Sequence, residues 1–115
     1  MADYQVPLKD MNFLLYDVLN ADKLWQSLPT LADRVDRETA EAILQECAKV
    51  TEQEIAPLSR NGDEVGVAFN NGKVTTAPGY KEAFNTYVAG GWTSLGGDPD
   101  FGGMGMPKML TAFHE

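Results

Sequence analysis

The stretch WTSLGGDPDFGGMGMP, residues 92–107, is the most informative part of this 115-residue chain. Five of its sixteen residues are glycine, and two prolines and two aspartates lie among them. Because glycine permits positive φ angles and proline fixes φ and removes a donor, the stretch predicts a shaped loop. Residues 107–115 then have the pattern of a helix that begins at a proline and has no stop signal before Glu115. We therefore expect a chain that is cut within a helix.

A helix is predicted before this loop, at residues 80–89, and Gly90 and Gly91 are expected to end it. Its apolar face is predicted to hold four side chains: Tyr80, Phe84, Tyr87 and Val88. Farther upstream, two runs of β-prone residues flank Asn71 and Gly72, which is a strong signal for a hairpin. An isolated hairpin is marginal in water, so we expect this one to rest on the helices.

The clearest helical pattern covers residues 36–55, with Asp36 as its N-cap and Pro57 as its end. Six apolar side chains recur on one face: Ala40, Ile43, Leu44, Cys47, Val50 and Ile55. Cys47 lies on that face with no cationic neighbour in the sequence, so we interpret it as a small core residue and not as a nucleophile.

The N-terminal segment is dense in apolar residues. We predict a short helix over residues 11–19 with Asp10 as its N-cap, and a break at Pro29. Two interpretations stay open for this apolar surface: an ordinary core, or an arm that lies across another domain or subunit. The fold class predicted from all these patterns is mainly α with one small β-hairpin.

Composition limits the functions that the chain could have. At 115 residues it is one domain at most. Its net charge of −8 argues against nucleic acid as a partner, since lysine and arginine supply most of that affinity. One cysteine allows no internal disulfide, no secretory leader is recognised, and no apolar run approaches the ~18 residues of a membrane span. We expect a cytoplasmic protein.

Motifs with a known chemistry are incomplete in this sequence. The P-loop pattern fails because Lys108 follows a proline, and the dinucleotide pattern that starts at Gly103 lacks its last glycine. Asp98 and Asp100 would repel an anion. They resemble the first residues of a calcium-binding loop, but the rest of that motif is missing. His114 is the one histidine, so a zinc-type spacing is absent. From these residues we assign no catalytic, cofactor-binding or metal-binding residue.

The order of several short motifs resembles the N-terminal helical domain of the acyl-CoA dehydrogenases. The chain has a helix that ends in IAPL at residues 55–58, the aspartate Asp63, GGW at residues 90–92, and DPDFGGMGMP at residues 98–107 before another helix. Residues 4–19 resemble the N-terminal arm of a larger bacterial subgroup that includes enzymes acting on 3-methylmercaptopropionyl-CoA, and residues 69–84 resemble its hairpin.

This resemblance implies an N-terminal arm at residues 1–30 and a partial helical domain at residues 31–115. It implies FAD and an acyl-CoA substrate for the full-length enzyme, with the remaining domains as partners and a homo-oligomeric assembly. The family's catalytic glutamate and most of its flavin contacts lie in domains that follow this region, so we expect the fragment to be inactive and to bind no FAD alone. The alternative is a self-sufficient helical module for protein interaction, which the apolar N-terminal segment favours.

Overall fold

The computed structural model describes residues 3–115 and confirms a mainly helical fold with one small hairpin. The α-helices are α1 (Leu8–Asn12), α2 (Ala21–Ser27), α3 (Arg37–Val50), α4 (Ser59–Val65), α5 (Tyr80–Ala89) and α6 (Lys108–His114). The strands are β1 (Ala68–Asn70) and β2 (Lys73–Thr75). Two π-helical stretches, Phe13–Val18 and Thr51–Ile55, continue α1 and α3, and short 3-10 turns cover Ala56–Leu58, Trp92–Ser94 and Pro99–Phe101.

The first helix begins earlier than predicted, and Asp10 is not its N-cap. Pro7 occupies the cap position, and its carbonyl accepts a hydrogen bond from the Met11 amide at 3.1 Å. A proline fits just ahead of a helix because its fixed φ suits the helix entry. Asp10 lies within the first turn, where its negative charge interacts favourably with the positive end of the helix dipole.

Helix α3 has the predicted start but not the predicted end. The Asp36 side chain accepts a hydrogen bond from the Thr39 amide at 2.7 Å, which confirms the N-cap. Pro57 does not stop the helical path, because it lies in the first turn of a 3-10 helix, where the absent N–H is not needed. The path continues into α4, which covers residues 59–65. Gly66, with φ of +68°, ends it.

The buried core lies where the Phe13–Val18 stretch, α2, α3 and α6 meet. Its largest fully buried side chains are Trp25, Leu15, Leu110 and Val35. Ala40 and Leu44 supply the α3 side of this cluster, as their helical spacing predicted. The N-terminal segment therefore contributes to an ordinary core through one face, while its other face stays exposed at Phe13, Leu14, Val18, Leu19, Leu24 and Leu28.

The hairpin forms at the predicted Asn-Gly pair but does not rest on the helices. Asn71 and Gly72 both have positive φ angles, 50° and 79°, as a two-residue turn of type I′ requires. Phe69 faces Val74 across the strands. All six strand residues are exposed, Phe69 by 74% and Val74 by 65%. The expectation of a packed hairpin was wrong, because β-alternation sets the pairing of the two strands but not what they lie against.

Helix α5 has the predicted bounds, Tyr80–Ala89. It packs beside the Thr51–Ile55 stretch, and Ala83 is its buried residue. Tyr80, Phe84 and Val88, three of the four side chains on its predicted apolar face, are exposed. The spacing shows that these side chains share a face and does not show that another element covers it.

The molecule is a thin plate. Its principal extents are 55 × 38 × 17 Å and its radius of gyration is 17.1 Å, against about 13 Å for a compact domain of this length. Its accessible surface of 8025 Å² exceeds the ~6,200 Å² of a compact monomer of this mass by about 1,800 Å². Much of the apolar surface is therefore not enclosed by the chain itself.

Candidate functional site

The glycine-rich loop between α5 and α6 is held by its own backbone. Each amide from residue 100 to residue 106 donates a hydrogen bond to an acceptor inside the loop. The bonds that join its two halves run from Met104 to Ser94, from Gly105 to Gly97 and from Met106 to Leu95, at 2.8–3.0 Å. The Asp98 side chain accepts the Asp100 amide at 2.9 Å and so caps the short turn after it.

Two glycines are required by close contacts in this loop. A Cβ on Gly103 would lie 2.0 Å from the carbonyl carbon of Gly97, so the two backbones touch. Gly105 has φ of +66°, and a Cβ there would lie 2.6 Å from Nη1 of Arg34. The side chain of Arg34 thus lies against the loop from the segment between α2 and α3.

These bonds give a physical reason why the loop is a poor anion cradle. A phosphate site needs several backbone N–H groups that point at the ligand, as at a P-loop. In this loop the amides of residues 100–106 already donate to Asp98, Pro99 and other loop acceptors. The loop acts instead as a rigid connection that sets the positions of α5 and α6.

The connection brings His114 of α6 between two aromatic side chains. Nε2 of His114 and the Tyr87 hydroxyl are joined by a hydrogen bond of 2.8 Å. The rings of Tyr87 and Trp92 each lie 5.7 Å from the His114 ring, with interplanar angles of 10° and 19°. Burial raises the pKa of the Tyr87 hydroxyl. This cluster borders a recess of about 420 Å³ that also has Lys108 and Thr111 in its lining.

The pairing of His114 with Tyr87 was not predicted from the sequence, which placed Tyr87 on the apolar face of α5. The two residues are 27 positions apart, and the spacing within each helix gives no sign of the pairing. The arrangement holds the imidazole in one position. In the described residues it is a packed aromatic cluster with one polar bond, and no serine or cysteine is hydrogen-bonded to the ring.

Cys47 is buried on α3, as predicted, and burial raises the pKa of its thiol. A raised pKa keeps the thiol protonated and unreactive at neutral pH. At the other end of the core, the Tyr16 ring lies under the Arg37 guanidinium, 4.3 Å from its carbon. Burial, followed by the charge of Glu41, raises the pKa of Tyr16 to about 12.

Among residues 3–115, no group of three His, Cys, Asp or Glu residues is placed to hold a metal ion. In the same residues, no helix combines the length and the apolar character that crossing a membrane requires.

Comparison with known proteins identifies relatives. No protein-family model matches the chain. It is 35% identical over 109 residues to the 3-methylmercaptopropionyl-CoA dehydrogenase of Ruegeria pomeroyi, covering 95% of this chain and 18% of that protein. It is 31% identical over 118 aligned positions to the broad-specificity linear acyl-CoA dehydrogenase FadE5 of Mycobacterium tuberculosis, covering 100% of this chain and 19% of that protein. The chain, which spans about a fifth of the length of these relatives, is thus a homologue of the acyl-CoA dehydrogenases.

Proposed function

We propose that this chain is the N-terminal helical part of an FAD-dependent acyl-CoA dehydrogenase, a cytoplasmic enzyme that oxidises acyl-CoA thioesters to 2-enoyl-CoA. The observation that carries the proposal is the extent of the two alignments. They include 95–100% of this chain but only 18–19% of each related enzyme. A segment of this size supplies scaffold, while the base, flavin and thioester must be held together by several domains for the reaction to occur.

The shape of the molecule supports a scaffold role. The plate is 17 Å thick, about the depth of two packed helices, and the N-terminal segment carries six exposed apolar side chains. Surfaces of this kind mark contacts with other domains or subunits. In the proposed enzyme the remaining domains cover the exposed face of α1, α2 and the stretch between them, and the arm crosses a neighbouring domain.

The proposal treats this part of the enzyme as inactive alone. The amides of the glycine loop are already bonded, and His114 is packed between aromatic rings. The proposal therefore assigns FAD and the acyl-CoA substrate to the whole enzyme, and no flavin contact or catalytic group to residues 3–115.

The experiment is a segment exchange. The matched segment of the Ruegeria pomeroyi enzyme is replaced by this chain, and the flavin absorbance near 450 nm and the acyl-CoA-dependent reduction of an artificial acceptor are measured. We expect the exchanged enzyme to retain FAD, whereas the same enzyme with the segment deleted loses it. The isolated chain should show neither signal. An isolated chain that purifies with FAD and oxidises acyl-CoA would contradict the proposal.

The alternative, a self-sufficient interaction module, is favoured by the same exposed apolar surface. It differs in one outcome, because a module that has lost its place in the enzyme would not restore flavin binding in the exchange. Two results together would support the interaction module over the enzyme part. The exchange would fail, and the isolated chain would unfold cooperatively, with its free energy of unfolding falling by about 1 kcal/mol or more per M of urea.

A further inference from the structure

The segment ahead of α1, residues 3–7, forms no helix or strand and lies against the helical path at the end of α3. We call this segment the strap. The Val6 amide donates a hydrogen bond of 2.7 Å to Oε1 of Glu52, which is 46 positions away in the sequence. Within the described residues, the other hydrogen bonds of the strap reach no farther than Met11. Glu52 therefore supplies the polar contact that holds the strap to the rest of the fold.

The strap forms one wall of a cavity of about 180 Å³. Tyr4 and Val6 line the cavity from the strap, and α3 and α6 supply most of its other walls. Cys47 is among the α3 residues in the lining, and it is only 9% exposed. Access of solvent to this cavity therefore depends on where the strap lies.

Tyr4 also stands between this cavity and a larger groove. The groove has a volume of about 740 Å³ and lies between α5 and the helical path that starts at Thr51. Tyr4 and Thr51 are the two residues that line both the cavity and the groove. Thr51 belongs to a helical stretch, whereas Tyr4 belongs to the strap and is 54% exposed. Displacement of the strap would therefore join the cavity to the groove.

Few contacts oppose such a displacement. Val6 is partly buried, and the other four strap residues are exposed. Pro7 has a φ of −78° at the junction with α1, and a proline restricts the residue before it, here Val6, to extended backbone. A short extended segment with little buried surface can open at a low free energy while the core stays folded.

We propose that the strap is a gate over the cavity at Cys47, and that the hydrogen bond from Val6 to Glu52 keeps the gate closed. In the open state the strap leaves α3, Tyr4 no longer separates the cavity from the groove, and the Cys47 thiol meets solvent. Cys47 reports on this opening and has no reacting role in it. The proposal does not depend on the acyl-CoA dehydrogenase assignment, since it concerns the motion of residues 3–7 alone.

The first test uses Cys47, the only cysteine in the chain, as the reporter. The rate at which excess iodoacetamide alkylates the thiol is measured by mass spectrometry. Loss of a hydrogen bond to a charged group shifts an equilibrium by about tenfold to a hundredfold, so Glu52→Ala should raise the alkylation rate by that factor. Glu54→Ala is the matched control, because Glu54 is an exposed residue with the same charge in the same stretch. Its rate should stay within about threefold of the original.

The second test separates opening of the strap from unfolding of the whole chain. Opening of a short segment exposes little surface, so the alkylation rate should depend only weakly on urea below the unfolding transition. Hydrogen exchange should show loss of protection at the Val6 amide in Glu52→Ala, with no change at the Leu44 and Leu110 amides. Equal alkylation rates in Glu52→Ala and Glu54→Ala would overturn the proposal. An alkylation rate with the urea dependence of global unfolding would overturn it as well, because Cys47 would then be reached only in the unfolded chain.

Discussion

Replacement of Gly103 by alanine tests whether the glycine loop is fixed by backbone contact. A Cβ at this position would lie 2.0 Å from the Gly97 carbonyl carbon and 2.1 Å from its oxygen, whereas ordinary contacts begin at 3.4 Å. The two halves of the loop must therefore move apart by about 1.4 Å. That movement stretches the bond from Gly105 to Gly97 and its neighbours, which are 2.8–3.0 Å long.

The expected cost follows from these contacts. Overpacking of a rigid site costs about 1–3 kcal/mol, and each weakened hydrogen bond adds about 0.5–1.5 kcal/mol. We expect Gly103→Ala to lower the free energy of unfolding by about 3–5 kcal/mol, which corresponds to a fall in Tm of at least ~10 °C in a domain of this size. The amides of Met104, Gly105 and Met106 should lose protection from hydrogen exchange in the same variant.

Gly102→Ala is the matched control for this prediction. Gly102 is the adjacent residue, and a Cβ there meets nothing within 4 Å, but its φ of +89° is unfavourable for alanine. Backbone strain alone should cost about 1–2 kcal/mol. Urea and thermal unfolding are followed by circular dichroism at one protein concentration, since association changes apparent stability. If Gly103→Ala is no less stable than Gly102→Ala, the contact with Gly97 does not constrain the loop.

Three further predictions concern the core, the α3 cap and the tyrosine beneath Arg37. Leu110→Ala should destabilise the fold by about 2–5 kcal/mol, because Leu110 is fully buried. Lys108→Ala in the same helix is the control and should cost under about 0.5 kcal/mol. Equal unfolding midpoints for these two variants would exclude α6 from the core. The Thr39 amide holds the pKa of Asp36 below its ordinary value of 3.8. The stability that this carboxylate contributes is therefore present above pH 4 and is lost as the pH falls below it. Asp36→Asn should remove that pH dependence and keep the cap, whereas Asp36→Ala should lower the urea midpoint at every pH. Burial raises the pKa of Tyr16 to about 12, so the contribution of the protonated hydroxyl to stability is complete below pH 10 and falls as the pH rises from 10 to 12. The stability of Tyr16→Phe, measured by unfolding at each pH, should lack this fall. A variant with the same pH dependence as the original chain would contradict the assignment of the fall to Tyr16.

Local signals in the sequence predicted the features that depend on a few neighbouring residues. The bounds of α5 follow from its spacing and from the glycines at its end, and the Asn71-Gly72 turn follows from the need for two positive φ angles. The Asp36 cap is likewise set by a bond that spans three residues. Each of these was predicted correctly because the competing conformations are excluded within one or two turns of the chain.

The features that were not predicted depend on contacts between residues far apart in the sequence. Spacing showed that Tyr80, Phe84 and Val88 share a face, but their exposure depends on what lies beside α5. The pairing of Tyr87 with His114 likewise depends on the path of the loop between their helices. Pro57 was misjudged for a different reason: its effect depends on whether it falls at the first turn of a new helix or inside an old one.

The glycine loop is constrained by contacts within its own backbone. Its requirement for glycine at position 103 comes from contact with Gly97, and its amides are taken up by its own carbonyls. The constraint on these residues is therefore geometric: it fixes how α6 leaves α5, and with that it fixes where Trp92 and His114 meet. A substitution that leaves every potential ligand in place, such as Gly103→Ala, should still separate His114 from Trp92. That result would show that the loop acts through the positions of the helices and not through a ligand of its own.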